Sequence, residues 1–286
     1  MKFRHMACIG AAIVVLVHGF ETFSQQMVIF EERPRMADNA TQAPAPAPPR
    51  SEIWDYYVRR GFTGAVVPAL STRAAVYSGI IATELATLTP ACYTANCSWP
   101  IIPTLGACGE CTSVPVASSC NATSHICTYS TPSGTSVGLP SNPGDQGVSR
   151  VAPSNGTHHP IDSASRAYFS VFDILTATSS TSGPVNATAN ECALWFCVQE
   201  YLLSVSEGQT NSSLLATWPT TQYESASSTH PARYRFVDIP GPFNVQPPSA
   251  IYAVTADAIS VLRDFAAGLT SGTVFVNANV LDFSSD

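Results

Sequence analysis

Four cysteines fall within the stretch CYTANCSWPIIPTLGACGEC, Cys92 to Cys111, and thiols so spaced can do redox chemistry, hold a metal or cross-link the chain. Cys108 and Cys111 have the C-x-x-C spacing of a redox dithiol, in which a helix N-terminus stabilises the first thiolate. TSVPVASSCN follows instead, with Pro115 and a polar turn, so no helix dipole is on hand. Zinc would need a second such pair or adjacent histidines, and His125 is the one neighbour. The residues predict structural disulfides.

Cys8 sits in an apolar N-terminal run. Setting it aside leaves Cys92, Cys97, Cys108, Cys111, Cys120, Cys127, Cys192 and Cys197, an even set that makes four disulfides in an oxidising compartment. Cys192 and Cys197 are expected to take different partners. In a strand they stand ~17 Å apart on opposite faces. In a helix they point ~140° apart, and a disulfide spans at most ~7 Å between Cα atoms. Each should reach back to the 92–127 cluster and pin its own segment from both faces. YTAN, between Cys92 and Cys97, can fold back and let that pair close locally.

Two further patterns have catalytic residue types without the context. GTSVG, residues 134–138, matches a nucleophile elbow, but Pro140 and Pro143 bar the helix that would expose Ser136, so a hairpin tip is expected at 132–134. THHPID offers His158, His159 and Asp162, whose neighbours in an extended segment point opposite ways. The triplet at Asn155 makes this a surface loop with solvated histidines. Glu31 and Glu32 lie beside the apolar run, a poor place for a cleft. No catalytic, metal or cofactor residue is assigned.

Export explains the composition. Charged residues are only 12 %, about half the usual share, and the net charge is −7. The one lysine is Lys2, which excludes nucleic acid as a partner. Asn-X-Ser/Thr triplets at Asn39, Asn96, Asn121, Asn155, Asn186 and Asn211 are candidate glycan acceptors that would supply the missing solubility. Lys2, Arg4 and His5 precede the apolar run MACIGAAIVVLVHGF. That order predicts a membrane anchor over residues 6–24, in preference to a cleaved signal peptide or a buried helix, with the chain beyond it on the extracellular or lumenal side. ADNATQAPAPAPPR, residues 37–50, reads as an extended Pro/Ala stalk. Residues 51–286 form the exported domain.

These side chains need a scaffold. Leu70, Ala74, Tyr77 and Ile81 recur at helical spacing and predict a helix over 68–88. Short runs bounded by Gly, Pro, Ser and Asn predict strands at 104–108, 125–130, 136–139, 168–176 and 233–239. ECALWFCVQEYLLSV, residues 191–205, is apolar on both parities and rich in Trp, Phe, Val and Tyr, which predicts a strand buried on both faces. Thr255 should cap a helix carrying Ile259, Leu262, Phe265 and Ala266, stopped by Gly268, and a last strand should cover 272–276. The fold class is α+β, mainly β: an antiparallel sheet domain with two or three helices, stapled by disulfides.

Two of these stretches resemble a known family. CYTANCSWPIIPTLGACGECTSV resembles the C-x-x-x-N-C-[ST]-W-P and L-x-x-C-x-x-C signature of a fungal membrane-protein family, domain of unknown function 3176. ANECALWFCVQEYLLSVSEGQ is similar to its second signature, and FSQQMV resembles the Gln-Gln pair after its last N-terminal membrane helix. The likeness covers nearly the whole chain. It implies an exported cysteine-rich domain between membrane helices and brings no activity, so no functional residue transfers. Against that family the chain carries part of one N-terminal helix and no C-terminal one, as a truncated member would. The expectation is a membrane-anchored glycoprotein that binds or senses an extracellular ligand. An exported hydrolase with carboxylates still to be located, or a fragment of a multi-pass membrane protein, are the alternatives.

Overall fold

The computed structural model describes residues 48, 50–55, 57–60, 65–81, 90–92, 96–140, 146–159, 165–179, 185–239, 251–277 and 280–284. In chain order the first strands are β1 (Ile53–Trp54), β2 (Tyr57–Arg60), β3 (Ala65–Pro68), β4 (Cys97–Ser98) and β5 (Ile102–Val114). Next come β6 (Ala117–Asn121), β7 (Ile126–Ser130), β8 (Ser136–Pro140), β9 (Gln146–Pro153), β10 (Ala167–Thr178) and β11 (Asn186–Ser206). The last are β12 (Gln209–Trp218), β13 (Thr221–Glu224), β14 (Arg233–Phe236), β15 (Ala253–Thr255), β16 (Gly272–Asn277) and β17 (Val280–Ser284). Two helices, α1 (Leu70–Ile81) and α2 (Ala256–Leu269), complete the described elements.

The whole arrangement turns on β11. Its apolar residues on both parities need cover on both faces, and its 21 residues are long enough to be paired along both edges. One edge takes β10 over 186–196 and then β12 over 198–206. The other takes β5 over 189–201 and then β4. Beyond β10 the sheet continues through β9, β16 and β17. Every pairing in it is antiparallel.

Opposite faces of this sheet are covered at opposite ends. Ala167, Phe169, Phe196 and Val198 pack against Ile259 and Leu262 of α2 and against Phe236 and Val254 of the sheet β1-β15-β14-β13. On the reverse face Val148, Leu175, Ala177 and Ala189 pack against Cys127, Tyr129, Val137 and Leu139 of the sheet β6-β7-β8. Fully burying one such side chain contributes roughly 1.5–3 kcal/mol. The strands that alternate most cleanly, β7 and β8, are those covered on a single face.

Most expected elements are present, with three corrections. Gly268 does not stop α2, which ends one residue later when the N–H and hydroxyl of Thr270 both reach the Ala266 carbonyl. Pro68 belongs to β3, and α1 is described from Leu70 to Ile81, residues 82–89 lying outside the described set. Its apolar stripe packs only in part: Leu70 is 75 % exposed, Tyr77 is 45 % exposed but meets the Phe265 ring edge-on at 5.7 Å, and Val76, outside the stripe, meets the core. The anchor at 6–24 lies outside the described residues, as does the stalk except for Pro48 and Arg50. Among the described residues no helix is long and apolar enough to cross a membrane.

Candidate functional site

Trp54 at the end of β1, Phe169 of β10 and Phe196 of β11 converge between α1, α2 and the main sheet. Trp54 and Phe196 have ring centroids 4.9 Å apart and Phe169 and Phe196 5.0 Å apart, as favourable aromatic pairs do. Small residues keep the space above them open. Ala75 and Thr72 of α1 and Ala107 of β5 are too short to fill it, and Ser71, Val76 and Leu262 complete a shallow, widely open groove of about 530 Å³. Among the described residues no ionisable side chain lines it. Such a lining suits an uncharged apolar group.

The acid groups lie elsewhere. Asp173 of β10 and Glu191 of β11 stand directly opposite each other in register, and both are fully buried. Glu191 accepts from the Thr157 N–H at 2.6 Å, the Thr157 hydroxyl at 2.8 Å, the His158 N–H at 2.8 Å and the His159 N–H at 2.9 Å. Burial pushes this carboxyl up, yet these donors outweigh it and hold the group below the usual carboxylate range. Asp173 Oδ2 accepts from the hydroxyls of Thr131 at 2.7 Å and of Ser133, in the tip between β7 and β8. Each carboxylate is an anchor for a polar loop. Glu191 is saturated by its four donors, whereas the buried Asp173 Oδ1 has no hydrogen-bond partner among the described residues.

Glu200 is the contrasting case. It is buried on the α2 face of β11, and its Oε1 and the Trp218 indole Nε1 both lack a hydrogen-bond partner among the described residues. Burial pushes its carboxyl up, with the nearby Trp218 N–H opposing only in part.

All eight cysteines singled out from the sequence are paired. Cys108 joins Cys197 and Cys111 joins Cys192, so the two thiols of C-G-E-C bond to β11 and not to each other. The two bridges leave opposite faces of the β5–β11 ladder, because Cys192 and Cys197 differ in parity. No helix follows Cys111, since β5 continues to Val114. Cys92 closes on Cys97, and Cys120 on Cys127 directly across the β6–β7 pair.

Ser136 lies exposed in β8 with no helix after it, and the hairpin tip falls at 131–135. His158 is exposed, but His159 corrects the expectation of solvated histidines: it is buried, with its ring 6.4 Å from Trp195 and its N–H on Glu191. Loop anchoring by Glu191 draws the imidazole inward. Asn96, Asn121, Asn155, Asn186 and Asn211 are all exposed; Asn39, Asp162, Glu31, Glu32 and Cys8 lie outside the described residues. Among those residues no group of three or more His, Cys, Asp or Glu side chains could hold a metal ion.

Sequence reasoning missed Glu191 although a signal was present, an acid inside a run that is otherwise apolar on both parities. The groove left no such trace, because its lining comes from six separate elements. Comparison of the chain with models of known families, with curated proteins and with solved structures returns no match.

Proposed function

We propose that the chain is a membrane-anchored, exported glycoprotein domain of the fungal family whose two cysteine signatures it resembles, and that it binds an uncharged apolar small molecule in the groove beside Phe196. The groove carries the reading. Its volume of about 530 Å³ falls in the range of small-molecule sites, and its lining is aromatic and aliphatic except for Ser71 and Thr72. Two hydroxyls and no charge suit an alkyl or fused-ring ligand bearing at most a hydroxyl group. The eight paired cysteines, the low charge and the exposed acceptor asparagines support placement on the extracellular or lumenal side of a membrane, with residues 6–24 as the anchor. A hydrolase acting through Asp173 and Glu191 would first have to lift both loops that hold them.

The test is binding of a neutral, environment-sensitive apolar dye to the full chain in detergent. Ala75→Trp fills the groove and should weaken binding at least tenfold, while Asp173→Asn leaves the affinity unchanged. Equal affinity in Ala75→Trp and the parent would remove the groove from the reading.

A further inference from the structure

Strand β12 is an edge strand with little protection. Among the described residues it pairs with β11 alone, which leaves its other edge open, and it carries no Asp, Glu, Lys or Arg from Gln209 to Trp218. Leu214 and Leu215 are 52 % and 49 % exposed, and Leu202 of the adjoining β11 segment is 46 % exposed. Edge strands of this kind are ordinarily guarded by charge, proline or a bulge, because an open row of N–H and C=O groups recruits another strand. The irregularity between Glu200 and Tyr201 covers one end only. The hairpin half of β12, next to the Glu207-Gly208 turn, has no such guard.

That half holds an acceptor triplet, Asn211-Ser212-Ser213, with all three residues exposed. Asn211 lies opposite Ser204 and Ser213 opposite Leu202, so Asn211 shares a face of the hairpin with the exposed Leu202. The reverse face is occupied, since Leu203 and Val205 are buried with Trp99. Asn211 therefore points from the bare side of the hairpin.

We infer that an N-linked glycan on Asn211 is the cover of this open edge and its bare face, in place of the charges the strand lacks. The inference rests on the exported reading above, because the donor is a lipid-pyrophosphate-linked oligosaccharide. Transfer forms the bond from sugar C1 to Asn211 Nδ2, breaks the bond from C1 to phosphate, and releases the lipid pyrophosphate together with the amide proton. An incoming strand would lie ~4.8 Å from β12, within the volume of the first sugars. The glycan excludes it sterically and shields Leu202.

The experiment uses the full chain made in a eukaryotic secretory host and purified in detergent, with glycopeptide mapping followed by light scattering over a concentration series. Asn211 should be occupied. Asn211→Gln and Ser213→Ala, which each abolish the acceptor, should at least double the apparent mass, while Asn121→Gln stays at the parent mass. Ser212→Lys added to Asn211→Gln should restore the parent mass. Ser213→Ala, which keeps the Asn211 side chain, reads the same association if Asn211→Gln fails to fold. An unoccupied Asn211 beside other occupied sites, or folded variants that keep the parent mass, would overturn this inference alone. No glycan on any site would overturn the exported reading with it.

Discussion

At the scale of single residues the two buried glutamates of β11 pull the pH dependence of stability in opposite directions. Glu191 has its carboxyl held low by four donors, so the folded protein binds fewer protons there than the unfolded chain. Its contribution is complete above the ordinary carboxylate range, near pH 4.3, and is lost as pH falls through the folded value. Glu200 has its carboxyl held high by burial, so its contribution is present below that range and lost as pH rises through the folded value. Urea titrations at several pH values check both. Glu191→Gln should cost about 2–4 kcal/mol at neutral pH, because an amide cannot satisfy the four donors and brings its own. Glu200→Gln should stabilise at neutral pH and leave stability at pH 4 nearly unchanged. A loss of stability in Glu200→Gln at neutral pH would contradict the raised carboxyl.

At the scale of elements the β5–β11 ladder depends on glycines as much as on cysteines. A Cβ on Gly109 would stand 2.7 Å from Leu194 Cδ2 and 3.2 Å from the Ala193 carbonyl oxygen, and the backbone oxygen cannot swing aside. Gly109→Val should therefore lower the melting temperature by more than ten degrees while the four disulfides stay intact, as calorimetry and thiol titration against the parent would show. Replacing Cys111 and Cys192 together by alanine should cost about 2–4 kcal/mol, the usual worth of a bridge closing a long loop. Strands such as 168–176 and 191–205 were legible because β-branched and aromatic residues alternate or run together between turn signals. Strands β6 and β12 were not, since Ser, Thr, Asn and Ala on solvated strands leave no apolar period to read. For α1 the period found part of the packing, since Tyr77 meets Phe265, but not the groove. The groove side is built of Thr72, Ala75 and Val76, and that smallness hides it from any reading of hydrophobic spacing.

At the scale of the whole molecule the contacts that define the fold join distant parts of the chain. β5 and β11 meet across sequence separations of 81 and 89 residues at their two bridges, so pairing is slow to find and the bridges lock it afterwards. The cysteine pairing pattern was legible in the one respect that geometry dictates, that Cys192 and Cys197 must part company. Their actual partners needed the register of β5. There is also a consequence for proteolysis. The bridges close residues 111–192 into a covalent ring inside a wider one, and β6 to β10 all lie within both. A single cut at any peptide bond between Cys127 and Cys192 opens the rings and releases nothing. On a gel such nicked protein should run at full mass without reductant and as two fragments with it. A protease that cuts there thus leaves the two parts of the domain joined.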